Sequence, residues 1–263
     1  MIHSLYLNWI SLKRYSSFWN HLIVRNLILV FGLGSTFSSC EEDMIYEFAT
    51  TSISSSDYEV CSYDQCPEVS LAYVEFNTPE LLGKEVNKDI ESLLMEQLIV
   101  EGQTASSIKE ALELYLSNAQ NSYPEGSVFS AAHELQIAID VVYSSNDVLT
   151  LQNDYYEFAG GAHGVGGVSY WNYNPKTGQK WENAALFSDL EGFKAFAKEE
   201  FIKTYGSLDK FWFEDEVFTL PTNIGFTQEV LILFYNVYEI APYSEGTFQL
   251  NLKRKDVEKY LSF

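Results

Sequence analysis

Residues 133–158, HELQIAIDVVYSSNDVLTLQNDYYEF, carry the reading on which the fold turns. Leu135, Ile137, Ile139, Val141 and Tyr143 alternate with more polar neighbours, the period of two expected of a strand with one buried face. Ser144–Asp147 breaks the pattern with turn-forming residues, and Val148–Phe158 resumes it. The stretch therefore predicts an antiparallel hairpin. Upstream, Val69–Phe76 reads as a strand, and Asn87–Val100 sets Ile90, Leu93, Leu94 and Leu98 at helical spacing. Ser107 and Glu110 have the spacing of a capping box before a second helix striped by Ile108, Ala111, Leu112, Tyr115, Leu116 and Ala119. Downstream, Val168–Tyr173 and Gln179–Trp181 flank the turn Asn174–Gly178, and Phe193, Phe196, Ala197 and Phe201 mark a helix stopping before Gly206. Val230–Ile240 is apolar on both faces, as a central strand would be; Phe248–Leu252 adds a strand and Asp256–Leu261 a short terminal helix. Helices and hairpins are grouped without regular strand–helix alternation, which predicts an α+β fold, a mostly antiparallel sheet with packed helices in two small subdomains.

The 263 residues are 46% hydrophobic and 16% aromatic, enough for a sizeable core. Lys and Arg number 16 against 37 Asp and Glu, a formal charge of −21. Residues 1–39 hold three of the basic residues and none of the acidic ones, so the remainder is more acidic still, at −24. Such a surface repels nucleic acid and anionic lipid, because phosphate binding requires clustered Lys and Arg. A basic or neutral partner fits it.

The N-terminal part reads as an export signal. Arg25 precedes an apolar run from Leu27 to Leu33, shorter than the ~20 residues of a membrane span, and small residues follow up to Cys40. Phe37-Ser38-Ser39-Cys40 resembles a bacterial lipobox, which implies that residues 1–39 are removed and that Cys40 is acylated; an ordinary signal peptide or an uncleaved anchor is the alternative. Residues 1–20 read as an upstream choice of start codon. Glu41-Glu42-Asp43 resembles the acidic tract of surface-exposed Bacteroidetes-type lipoproteins, or is a solvated charge run. The expected location is the outer membrane, periplasmic or surface-exposed, with membrane contact through the lipid alone. Residues 40–57, Ser/Thr-rich over 49–57, read as a flexible tether, with folding beginning near Tyr58. Acylation of Cys40 leaves Cys61 and Cys66 free to pair in an oxidising compartment; half of a metal-ligand set is the rival reading.

Two stretches carry candidate chemistry. Five glycines stand within residues 160–167, around His163. A ligand-binding loop is one reading of Gly160, Gly161, His163 and Gly164, although no phosphate-loop order is present. The other is that the His163 imidazole braces the loop through a buried hydrogen bond. In the second stretch, Phe234–Gly246, a strand ends in a turn bearing Tyr238, Glu239 and Tyr243. Glu239 is either a general acid–base partner of His163 or an acceptor of hydrogen bonds from Tyr hydroxyls or backbone amides at the strand end. No metal site, cofactor motif or known nucleophile pattern is recognised.

The order Tyr156-x-x-x-Gly160-Gly161-Ala162-His163-Gly164, Asn172-Tyr173-x-x-x-Thr177-Gly178, Leu186-Phe187-Ser188-Asp189-Leu190 and Tyr235-Asn236-x-Tyr238-Glu239-Ile240-Ala241-Pro242-Tyr243-x-x-Gly246 resembles the extracytoplasmic module of RsiV-type anti-sigma factors. The upstream strand and helix resemble the companion domain found there and at the N-terminus of PdaC-type peptidoglycan deacetylases. The resemblance implies a PdaC-like domain over 58–166 and an RsiV-like domain over 167–263. RsiV-type proteins bind lysozyme, and PdaC-type enzymes deacetylate through a separate metal-binding domain. Neither the cytoplasmic signalling part nor the deacetylase motifs are expected here. The expectation is therefore a noncatalytic, lipid-anchored envelope module for a lysozyme-like protein or peptidoglycan. The alternatives are a structural lipoprotein, or a hydrolase built on His163 and Glu239.

Overall fold

The alternating stretch closes into a hairpin of β3 (Glu134–Ser144) and β4 (Leu149–Phe158), paired antiparallel. Its turn is locked by Ser145, whose hydroxyl accepts from Asp147 N at 3.3 Å and Val148 N at 3.1 Å. In this computed structural model, residues 43–61, 66–99, 102–122, 133–159 and 162–263 are described. Cys40 and the export signal, like Gly160 and Gly161, lie outside the described residues. The fold is α+β, with a mixed five-stranded sheet and an antiparallel three-stranded sheet.

The large sheet runs β1 (Glu47–Ser54), β2 (Glu68–Thr78), β3, β4 and β5 (Val165–Tyr173). Only β2 and β3 are parallel, and the chain joins them through α1 (Glu80–Leu98) and α2 (Ile108–Ser122). A parallel pair requires such a crossover. The helices cover one face of the sheet: Leu82, Val86, Ile90 and Leu94 of α1 and Leu112 and Leu116 of α2 pack on Val69, Leu71, Leu135, Ile137 and Leu151. At the start of α2, Ser107 Oγ accepts from Glu110 N at 3.2 Å, while the Glu110 carboxylate reaches back to Ser106 N at 2.7 Å.

Three expectations are corrected. Residues 47–57 are ordered secondary structure and not a tether: β1 pairs along β2, and at its end Ser54 and Asp57 make a reciprocal cap. The strand lies at the sheet edge with its side chains largely exposed; backbone pairing with β2 supplies most of the order, helped by Phe48 on Phe76 and by Ile53 against the core. The first helix begins at Glu80, one turn and more before Asn87. Asn87 is mid-helix, and its amide pairs with both backbone groups of Phe76, accepting from N at 2.9 Å and donating to O at 3.0 Å. The apolar run at Val230 leaves strand geometry at Tyr235 and not Ile240, because Asn236 and Glu239 fold the chain into a turn with Tyr238 at φ 67°.

The second sheet orders β6 (Asn223–Phe226), β7 (Val230–Tyr235) and β8 (Phe248–Lys253). It packs on α3 (Leu190–Tyr205), capped by Asp189, whose Oδ1 accepts from Gly192 N at 2.9 Å, and ended by Gly206 at φ 91°. Phe193, Phe201, Phe218, Phe226 and Tyr235 fill this core. The expected terminal helix is α4 (Arg254–Val257) followed by a 3₁₀ turn over Glu258–Tyr260.

The two sheets meet along β5 and β6 through side chains. Asn172, 2% exposed, accepts from the Thr150 hydroxyl at 2.7 Å and donates to Ile224 O at 2.7 Å. β5 therefore belongs to the sheet of the upstream hairpin and is fastened to the downstream sheet, and it runs through the boundary expected at 166/167.

Candidate functional site

The downstream motif is built around Asn236. Its amide accepts from Val168 N at 2.8 Å and donates to Val168 O at 2.9 Å, so one side chain takes the place of a strand partner on β5. That approach requires Gly167, since a Cβ there would lie 2.8 Å from Asn236 Oδ1. Glu239 then fixes the turn: Oε2 accepts from Asn236 N at 2.9 Å and Oε1 from Thr222 N at 3.3 Å. The acceptor reading of Glu239 is the geometry found, with backbone amides and not Tyr hydroxyls as donors. A carboxylate held by two backbone N–H groups is occupied in shaping the chain.

The turn projects Tyr238, in left-handed backbone geometry that non-glycine residues seldom adopt, and Tyr243 follows within the next turn. Tyr238 is 55% and Tyr243 38% exposed. The Tyr243 ring stacks on His163 at 4.5 Å with 21° between planes, and Tyr238 lies 5.5 Å from Tyr243. His163 Nδ1 hydrogen-bonds Gly164 O at 3.0 Å, and the Tyr243 hydroxyl reaches the same carbonyl at 3.5 Å. Gly164 lies against Tyr156, where an added Cβ would be 2.5 Å from the phenol oxygen.

His163, Gly164, Tyr238, Glu239 and Tyr243 are thus brought to one place, the end of the β4–β5 hairpin where the β7–β8 connection crosses it. The bond to the loop is present, but His163 is exposed and not buried. No hydrogen bond or ion pair joins His163 to Glu239 among the described residues. The geometry is an exposed ring platform on a braced turn, and no acid–base pair is assembled there. No group of three or more His, Cys, Asp or Glu among the described residues is placed to hold a metal. Sequence reasoning had Asn236 within its motif but missed its task. The signal was an amide followed three residues on by Glu, the spacing of a side-chain-closed turn.

Cys61 and Cys66 are joined by a disulfide with Cα atoms 5.3 Å apart. It closes the short segment leading into β2. No helix among the described residues is long and apolar enough to cross a membrane.

Comparison with known proteins gives two family matches. Residues 60–166 match the family described as deacetylase PdaC, and residues 180–255 match a protein family of unknown function, DUF3298. These two segments are similar to those families, and each match covers less than half of the chain. No curated protein matches it. Among solved structures, a DUF3298 family protein from Bacteroides fragilis NCTC 9343 is 17% identical, with a TM-score of 0.61 over 84% of this chain and 95% of that one. A second, from Pseudomonas aeruginosa PAO1, is 16% identical, with a TM-score of 0.57 over 83% of this chain and 94% of that one. These likenesses concern the fold.

Proposed function

We propose that this is a noncatalytic binding module, held at the outer membrane by a lipid on Cys40, and that its ring platform engages a basic protein of lysozyme type. The supporting observation is the exposed stack of His163, Tyr243 and Tyr238, held by a turn in which the Glu239 carboxylate is engaged by backbone amides. Exposed Tyr rings on a rigid support suit a protein contact, where aromatic residues carry a large share of binding energy. The charge of −21 supplies encounter with a cationic partner.

The full chain in detergent, titrated calorimetrically, is expected to bind lysozyme at low ionic strength and to keep binding above physiological salt, where the Debye length falls below about 8 Å. Cytochrome c, a basic control of similar size, should lose its binding over that range. Tyr243→Ala should weaken lysozyme at least tenfold. His163→Ala should do the same while lowering stability by less than about 1 kcal/mol, since only an exposed stack and a solvated loop bond are lost. Equal affinities for the two proteins that vanish together with salt would exclude the lysozyme-type ligand. Binding of peptidoglycan fragments in place of lysozyme would move the ligand class to glycan.

A further inference from the structure

We propose a second ligand site, independent of the ring platform: a cleft of about 230 Å³ between α1 and strands β4–β5 that receives the acetamido group of a neutral N-acylated ligand at Asn153. Asn153 belongs to the inward row of β4, following Leu149 and Leu151, and is paired in register with Ile139 on one side and Ser169 on the other. It is 7% exposed. Its Nδ2 donates to Ser169 Oγ at 3.3 Å, but its Oδ1 is buried with no partner. Buried polar atoms are almost always hydrogen-bonded, and an exception on an otherwise apolar face calls for a partner. Turning the amide by half a rotation gives Ser169 to Oδ1 and leaves Nδ2 without a partner instead. In either orientation one polar atom of Asn153 stays unpaired at the cleft.

The walls define what completes it. Leu93 and Ile137 supply apolar side chains and the β5 backbone at Val168 completes the wall, while Gln97 and Ser169 supply polar groups. The two other polar side chains are committed elsewhere: Tyr155 donates to Glu157 at 2.6 Å and Asn236 is spent on Val168. No charged side chain lines the cleft, so an ammonium or carboxylate would lose its water without gaining a counter-charge. A secondary amide with a small alkyl group meets every demand. Its N–H or C=O serves whichever atom of Asn153 is unpaired, and its methyl rests on the Leu93–Ile137 surface. The volume lies below the ~300 Å³ at which drug-sized pockets begin, which limits the bound part to about one sugar ring or one acylated amino acid. The space arises because β5 places Gly167 opposite Tyr155 and Ser169 opposite Asn153, two positions with little or no side chain.

The test is ligand-observed NMR on the full chain in detergent, with N-acetylglucosamine, N-acetylalanine methylamide and glucose as probes. At least one acetamido probe is expected to bind tenfold or more tightly than glucose, with the strongest saturation transfer at the acetamido methyl. The tighter of the two identifies an amino sugar or an acylated amino acid as the source of the group. Asn153→Leu, close in size, should lower that affinity at least tenfold and melt at or above the wild-type temperature, because a buried unpaired acceptor has been removed. Leu93→Trp, which fills the cleft from the helix side, should abolish binding by a different route and decides the matter should Asn153→Leu fail to fold. His163→Ala should leave it unchanged, which separates this site from the platform. Acetamido probes binding no better than glucose, or unaltered affinity in the Asn153→Leu or Leu93→Trp variant, overturns the proposal.

Discussion

Replacing Asn172 by leucine is expected to destabilise the protein by about 2–6 kcal/mol, since it leaves two buried polar groups unpaired at about 1–3 kcal/mol each. Asn172 is 2% exposed and joins three strands: it lies on β5, accepts from Thr150 on β4 and donates to Ile224 O on β6. Leucine has nearly the same volume, so the loss measures hydrogen bonds and not a cavity. Thr150 is fully buried and has no route to water. With total stabilities of roughly 5–15 kcal/mol for a folded chain, the variant should sit close to unfolding at physiological temperature. Urea denaturation should show a lower midpoint with an unchanged slope, read by fluorescence and by circular dichroism. Coincident midpoints from both probes would mean that the sheets unfold together. A loss below 1 kcal/mol would mean that the sheets are not fastened at Asn172.

The legible part of the fold followed from periodicity. Ile137, Ile139, Leu149 and Leu151 are inward because the alternation said so, and Leu112 and Leu116 are inward because of their helical spacing. What could not be read was order without apolar residues. Thr50, Thr51 and Ser52 have the composition of a linker, yet they pair with Val74, Tyr73 and Ala72 across a sheet edge where the outer face carries no packing. Pairing of β2 with β3 in parallel is likewise nonlocal, fixed by the covering helices and not by either strand alone. At the site, glycine density and the Tyr238–Glu239–Tyr243 cluster pointed to the right place. That His163 would stack on Tyr243 across 80 residues of chain, and that Glu239 would serve the turn, depended on how Asn236 grips β5. Asn153 was hidden for another reason: the alternation of Leu149 and Leu151 places it inward, but only its pairing opposite Ser169 showed an amide oxygen buried without a partner.

Raising the pH above 10 is expected to unfold the protein steeply, and two tyrosines should account for much of the effect. Tyr173 is fully buried and its hydroxyl donates to Asp89 at 2.8 Å; Tyr235 is 1% exposed and donates to Thr219 O at 2.8 Å. Burial is the first cause that pushes both phenols well above their ordinary range, followed by Asp89 for Tyr173 and by the Glu239 charge for Tyr235. The sign follows from proton counts. Below about pH 10 both folded and unfolded chains keep these protons, and stability is unaffected. Above it the unfolded chain releases them while the folded chain holds them, so stability falls as pH rises, by about 1.4 kcal/mol per pH unit for each group. By pH 11 the pair should have removed about 3 kcal/mol, and Tyr46, pushed up to about 12 by burial and Asp147, acts in the same direction. Urea unfolding at pH 8, 9, 10 and 11 measures the slope. The Tyr173→Phe, Tyr235→Phe double variant, weaker at pH 8 for want of two hydrogen bonds, should show a slope shallower by two protons. A native chain whose 18 tyrosines all ionise near pH 10 without unfolding would refute this account. The consequence reaches the ring platform, because Tyr235 immediately precedes the Asn236–Glu239 turn that carries Tyr238 and Tyr243. Ligand binding at that surface should therefore be lost with the alkaline transition.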